Sequence, residues 1–274
     1  MTDRYAVIGN PIGHSKSPLI HTSFAQATGQ DLSYVALEAP LGGFSARIDA
    51  FRREGGRGLN VTVPFKLDAF AYATDASARA RQAGAVNALK FEAERVFAEN
   101  FDGLGLVNDI QRNLGFSLKG RRVLLVGAGG AARGALAPLL EAGAAGVVVA
   151  NRTAEKVQAL AHQFSAVGEV RAVVVADLAR ERPFDLVINA TSAGLTGQAP
   201  EIPAASFAAE GLAYEMVYGK GLTPFLKAAK AAGVKRLADG VGMLVEQAAE
   251  AFAWWRGVRP DTAAAIAKLT VPLA

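Results

Sequence analysis

The run Arg122–Val126, apolar after its first residue, passes without a linker into Gly127-Ala128-Gly129-Gly130-Ala131-Ala132 and then into an alanine-rich stretch. This G-x-G-x-x-A pattern at a strand-to-helix turn commits its half of the chain to α/β structure. Gly127 permits the tight turn, Gly129 lets a pyrophosphate approach the backbone, and Ala132 keeps the helix close to the strand. The free N–H groups of the helix start, with their dipole, hold the phosphates. A second Val-rich run, Gly146–Ala150, gives the motif the setting that a bare glycine pattern lacks. The alternative is a tight βα turn with no ligand. Pro138, inside the helical stretch, predicts a kink.

The second strand indicates which dinucleotide. Sites for the 2′-hydroxyl form usually carry Asp or Glu about 20 residues after the glycines. Here the strand ends in Asn151-Arg152-Thr153, then Ala154-Glu155-Lys156, with no carboxylate at its tip. Arg152 and Lys156 can bracket a 2′-phosphate, Arg152 bidentately. Both can also be solvated charges, but bases at a helix start oppose its dipole, which favours an anionic ligand.

Short β-type runs alternate with helical stretches throughout the 274 residues, the pattern of an α/β protein with mainly parallel strands. Expected strands are Arg4–Gly9, Leu32–Leu37, Gly58–Val63 and Val86–Phe91, then Arg122–Val126, Gly146–Ala150, Ala172–Val175, Leu186–Asn189 and Leu212–Met216. Pro18–Ala27 and Phe65–Tyr72 are amphipathic helical segments between the early strands. A domain boundary is expected near Asp102-Gly103. Two helical patterns, Met243–Trp255 and Asp261–Leu269, have no strand after them and can close either domain. The short apolar run after Met1 is neither a signal peptide nor a membrane span, so a cytoplasmic location is expected. Lack of cysteine excludes disulfides and thiolate chemistry. The net charge of +4 is spread without a basic block or interleaved aromatics, which argues against nucleic acid and suits an anionic small molecule.

The N-terminal half carries polar residues where parallel strands should end. In Asn10-Pro11-Ile12-Gly13-His14-Ser15-Lys16-Ser17-Pro18, Ser17-Pro18 reads as an N-cap with Pro at the first helical position. With Ser15 it also makes a carboxylate site. In Gly58-Leu59-Asn60-Val61-Thr62-Val63-Pro64-Phe65-Lys66, alternation puts Asn60, Thr62 and Pro64 on one face, with Lys66 just beyond. Ala83–Asn87 and Asn100-Phe101-Asp102-Gly103 add an amide and a carboxylate. His14 and His21 lack metal-ligand spacing and read as ordinary polar residues, so no metal is expected. With no Tyr-x-x-x-Lys pair or histidine–carboxylate arrangement evident, Lys66 is the best proton carrier and Asp102 its partner.

This ordered set resembles the shikimate dehydrogenase family over nearly the whole chain. Further matching segments are Asn189-Ala190-Thr191-Ser192, Tyr214–Gly219, Thr223-Pro224-Phe225 and Asp239–Gln247. By resemblance, Ser15 and Ser17 bind a substrate carboxylate, and Asn60, Thr62, Asn87, Asp102, Tyr218 and Gln247 hold its hydroxyls or line that pocket. Lys66 and Asp102 form the catalytic pair. NADP is held by Gly127, Ala128, Gly129, Gly130, Ala131, Ala132, Asn151, Arg152, Thr153, Lys156, Asn189, Thr191, Met216 and Gly240. The implied fold is two α/β domains with the active site in the cleft between them. Residues 1–102 bind substrate, residues 103–239 form a Rossmann-like NADP domain, and the helices of residues 240–274 return to the substrate domain. The implied reaction is reversible NADPH-dependent reduction of 3-dehydroshikimate to shikimate, on the pathway to chorismate and the aromatic amino acids. The partners are then small molecules, with no nucleic acid or membrane, and the chain acts as a monomer or homodimer. Phe101 and Ala88 stand where the family usually has Thr, and Glu215 where it has Asp. A ring beside Asp102 is expected to narrow the pocket or shift that carboxylate. A quinate/shikimate enzyme with relaxed cofactor choice, a methylenetetrahydrofolate dehydrogenase and a non-catalytic sensor are the competing readings. Arg152 disfavours the first, the serine pair with the Asn–Thr–Lys array the second, and retention of Lys66 with Asp102 the third.

Overall fold

The computed structural model describes residues 2–273, so Met1 and Ala274, the outermost residues of the expected domains, lie outside the described residues. Contacts divide the chain into two compact units, Met1–Gly105 with Val245–Ala265, and Leu106–Leu244 with Ile266–Ala274.

The first unit contains β1 (Asp3–Gly9), α1 (Ser17–Thr28), β2 (Leu32–Glu38), α2 (Phe44–Arg53), β3 (Gly56–Val61), α3 (Lys66–Tyr72), β4 (Asp75–Ala76), α4 (Ala78–Ala83), β5 (Ala88–Glu92) and β6 (Arg95–Glu99), and α5 (Asp102–Asn108) begins in it. Its strands form one sheet in the order β2-β1-β3-β5-β6-β4. Period-two alternation sends Ala6 and Ile8 to a core with Phe44, Ile48 and Phe65, and Tyr5 and Val7 to a core with Tyr34, Phe101 and Trp255 on the other face. The pairings are mainly parallel, as expected, with one exception in this sheet. β5 runs antiparallel to both β3 and β6, and the short β6, with Arg and Glu at its ends, carries too little apolar pattern to stand out in the sequence. The third strand also ends at Val61 rather than Val63, and Val63 is 66% exposed instead of facing the core.

The second unit contains β7 (Arg122–Val126), α6 (Gly130–Glu141), β8 (Gly146–Asn151), α7 (Ala154–Phe164), β9 (Val170–Val174), β10 (Phe184–Asn189), β11 (Phe207–Glu215), α8 (Pro224–Ala231) and β12 (Arg236–Ala238). All strands are parallel, in the order β12-β11-β10-β7-β8-β9, the doubly wound dinucleotide arrangement with its switch point between β7 and β10. Val123 and Leu125 face one core, Leu124 and Val126 the other.

The division falls inside helices rather than at Asp102-Gly103 and Gly240. One break lies within α5, and the other within α9 (Val241–Arg256). The helix α10 (Ala263–Leu269) starts in the first unit, but the chain from Ile266 groups with the second. There Val271 and Pro272 lie beside Gly221 and Leu273 packs on the core of Phe225 and Leu226, so of residues 240–274 the stretch Val245–Ala265 groups with the first unit and the final segment with the second.

Candidate active site

In open α/β sheets, ligands bind beyond the carboxyl ends of strands where the winding direction switches. In the first unit that point lies between β1 and β3, so the loops after Gly9 and after Val61 are the ones to inspect. These loops are clamped together. Asn10 N–H donates to the Val63 carbonyl at 3.1 Å, and a Cβ on Gly9 would stand 2.6 Å from Thr62 Cγ2.

Lys66 opens α3, and its ammonium donates to Asp102 Oδ2, with 28% of the lysine side chain and 13% of the aspartate side chain exposed. Asn87 Nδ2 donates to Asp102 Oδ1 at 2.8 Å and to Gln247 Oε1 at 3.2 Å. Asn87 Oδ1 accepts from Phe101 N–H at 2.8 Å, which fixes the amide's orientation. Asn60 Nδ2 donates to the Asn87 carbonyl at 3.2 Å, while its Oδ1 accepts from the Tyr34 hydroxyl at 2.7 Å. Thus Lys66, Asp102, Asn87, Gln247 and Asn60 form one connected cluster. Thr62 is half-buried at the end of β3.

The serine pair differs from expectation. Lys16, not Ser17, is the N-cap of α1, and Pro18 is the second residue of the helix. Ser17 makes no capping bond. Its N–H donates to Ser15 Oγ at 3.3 Å and its side chain interacts with Tyr34, which ties the serine pair to β2. Tyr34, missed in the sequence reading, joins the serines to Asn60. Burial pushes its phenol up, with Asn60 and Ser17 opposing.

His21, expected to be an ordinary polar residue, sits in an aromatic core. It is buried at 1% exposure, stacked on Tyr34 at 4.2 Å and 3°, with Phe24, Phe252 and Trp255 around it. Burial pushes its imidazole down to about 3, Asn60 only partly offsetting this. Phe101 is also corrected. Its ring is 4% exposed, packed in the core and edge-on to Trp254 at 5.8 Å, so it does not narrow the polar cluster. Ala88 is fully buried.

In the second unit, a cavity of about 920 Å³ lies beyond β7, β8 and β10. Gly127, Ala128, Gly129, Gly130, Ala131, Asn151, Arg152, Lys156 and Thr191 line it. Its size is at the upper end of ligand pockets. Gly127 has φ +123, and a Cβ there would meet the Ala190 carbonyl oxygen at 3.1 Å. Cβ atoms on Gly129 or Gly130 would meet nothing within 4 Å, which is the open backbone approach a pyrophosphate needs. With two cations and no carboxylate at the β8 tip, the lining fits NADP. Asn151 Oδ1 accepts from Arg152 N–H at 2.8 Å, shaping that tip.

Five expected cofactor residues do not line the cavity: Ala132, Thr153, Asn189, Met216 and Gly240. Ala132 and Asn189 are fully buried. Asn189 Oδ1 accepts from Thr191 N–H at 3.1 Å and from its hydroxyl at 2.7 Å, so its side chain supports the loop. Thr153 is exposed without a side-chain cap bond, and Met216 is pressed against Gly240, where a Cβ would stand 2.3 Å from the Met216 carbonyl oxygen. Tyr218 belongs to the second unit, 37% exposed after β11, with burial of its remainder pushing the phenol up. Residues absent from the expectation are Val126, Val175, Ala190, Ser192, Ala193, Gln198, Ala199, Pro200 and Glu201. The strand-end rule signals the loop after β10, but nothing local marks Gln198 or Glu201. Among the described residues no metal-binding group of acids and histidines occurs.

A doubly wound dinucleotide unit joined to an α/β unit with a lysine–carboxylate pair among amides defines a pyridine-nucleotide dehydrogenase of a polar small molecule. Family models for the shikimate dehydrogenase substrate binding domain, for shikimate/quinate 5-dehydrogenase and for the shikimate 5′-dehydrogenase C-terminal domain match residues 7–89, 109–196 and 240–270. The shikimate dehydrogenase (NADP(+)) of Nitrosospira multiformis is 55% identical over 269 residues, spanning 98% of each chain. Among solved structures, an Ael1 enzyme from Pseudomonas putida is 58% identical with a TM-score of 0.95, covering 100% of both chains. The shikimate 5-dehydrogenase of Thermus thermophilus, in complex with NADP(H) and shikimate, is 37% identical with a TM-score of 0.87, covering 97% of this chain and 98% of that one. The chain belongs to the shikimate dehydrogenase family.

Proposed function

We propose that this protein is an NADP-dependent shikimate dehydrogenase that catalyses the reversible reduction of 3-dehydroshikimate to shikimate, a step toward chorismate and the aromatic amino acids. The observation that carries the reading is the cluster in which Lys66 and Asn87 both donate to Asp102, with Gln247 beside them. The first unit is the substrate domain and the second the dinucleotide domain.

NADPH, when bound, supplies the hydride. Lys66 gives a proton to the carbonyl oxygen in reduction and takes it back in oxidation. Asp102 holds the lysine nitrogen in place and presents a carboxylate edge to a substrate hydroxyl. Asn60, Thr62, Asn87 and Gln247 receive the remaining hydroxyls, and Ser15 and Ser17 bind the carboxylate. Gly127–Ala131 receive the pyrophosphate, and Arg152 with Lys156 reads the 2′-phosphate. The reading includes small-molecule partners alone, a monomer or homodimer, and the cytoplasm. Among the described residues no helix is long and apolar enough to cross a membrane.

The test is absorbance of the reduced nicotinamide, near roughly 340 nm, with shikimate and NADP⁺, repeated with quinate and NAD⁺. Turnover with shikimate and NADP⁺ well above the other pairs is expected. Binding of shikimate without turnover would return the protein to a sensor.

A further inference from the structure

Glu215 ends β11 directly opposite Asn189, the last residue of β10, and is fully buried. Its Oε2 accepts from Asn189 Nδ2 at 3.0 Å and from the Thr223 hydroxyl at 3.1 Å, and its Oε1 accepts from Val217 N–H at 3.3 Å. Three segments therefore converge on one carboxylate: the end of β10, the loop after β11, and the start of α8, which Thr223 caps by accepting from Leu226 N–H. A fourth point of approach is Gly194, where a Cβ would stand 3.3 Å from Oε2.

The chain of bonds continues to the cavity wall. Because Asn189 gives its Nδ2 to Glu215, its Oδ1 is turned to receive both the N–H and the hydroxyl of Thr191. Thr191 and Ala190 line the cavity, and they are also the residues a Cβ on Gly127 would meet. A carboxylate that only accepts fixes the orientation of that amide, whereas an amide at position 215 carries one donor too many.

We infer that Glu215 is a positioning residue for the dinucleotide, holding the Ala190–Thr191 wall against the Gly127 turn through Asn189 without touching the ligand. The inference rests on the reading that this cavity takes NADP(H). Burial raises the Glu215 carboxyl, and the bonds from Val217 N–H, Asn189 and Thr223 oppose that rise by favouring the ionised form.

Calorimetric titration of the intact protein with NADPH, and separately with shikimate, tests it. In Glu215→Gln, NADPH affinity should fall by about tenfold, the scale of a lost hydrogen bond to a charged acceptor. Shikimate affinity should not change, and Glu215→Asp, which keeps the charge, should recover part of the NADPH affinity. A general loss of structure would weaken both ligands together and would not respond to the retained charge. If wild type fails to bind NADPH, the reading of the cavity falls. If wild type binds and folded Glu215→Gln binds equally well, or loses both ligands alike, the role of Glu215 falls. Should Glu215→Gln not fold, Thr223→Val removes one donor only. Weakened NADPH binding in that variant supports the inference, and unchanged binding overturns it.

Discussion

In the first unit, Lys66, Asp102, Asn87 and Gln247 hold one another, so the candidate site exists as a bonded array before any ligand arrives. In the second, the ligand space along Gly127–Ala131 is defined by side chains that are missing, with cations only at its far edge on Arg152 and Lys156. The first kind of site fails when one functional group is changed. The second fails when an atom is added.

The sharpest test of that contrast changes a single atom in the bonded array. Asp102→Asn places an NH₂ against Lys66 or Asn87, both donors. Shikimate oxidation should slow by about a hundredfold or more, the scale of acid–base catalysis. NADP⁺ affinity, measured by titration, should stay unchanged, and a parallel loss would break the comparison. In the second unit, Gly127→Ala adds one methyl group where φ is +123 and a carbonyl oxygen stands 3.1 Å away. NADP⁺ affinity should fall by about thirtyfold, the middle of the range for local backbone strain, with shikimate affinity preserved. Equal weakening of both ligands would mean that the turn supports the fold rather than the cofactor.

Charge at the far edge should matter less. Arg152→Asp should weaken NADP⁺ by about tenfold, one exposed phosphate contact, and leave NAD⁺ equal or improved, as steady-state KM values for the two cofactors will report. Equal losses would assign Arg152 to the loop. The smallest effect on rate belongs to His21. Its folded imidazole lies near 3 against an ordinary 6.5, so the unfolded chain binds more protons below pH 6.5. Stability is full above that value and declines as pH falls toward 3, by about 2 kcal/mol at about pH 5. Urea unfolding at the two pH values should show the decline in wild type and a flatter response in His21→Phe. The same slope in both would remove His21 as the cause.

How much of this was legible depended on the distance over which the signal acts. Gly127–Ala132 and the Arg152 tip are local, and strand, turn and helix each carry their own pattern. The strand ends near Ser15, Asn60 and Lys66 were readable for the same reason. The antiparallel β5–β6 pair was not, because alternation gives strands but not their direction. Ser17 looked like a cap since Ser-Pro fits that role, yet the helix begins one residue earlier. Phe101 looked intrusive beside Asp102, but neighbouring residues face opposite ways, and its ring found Trp254 in a core that no local pattern announces. Asn189, Glu215 and His21 became interpretable only once distant segments had closed over them.

The proposed chemistry turns on Lys66 as the proton carrier. Lys66→Ala, once shown to fold like wild type, should be assayed for turnover with shikimate and NADP⁺ while shikimate affinity is measured directly by calorimetry. Turnover should fall by about a hundredfold or more, with affinity changed far less, since Asn60, Asn87, Gln247 and the two serines remain. Near-normal turnover with poor shikimate binding would contradict it, making Lys66 a binding residue and Asp102 the next group to test.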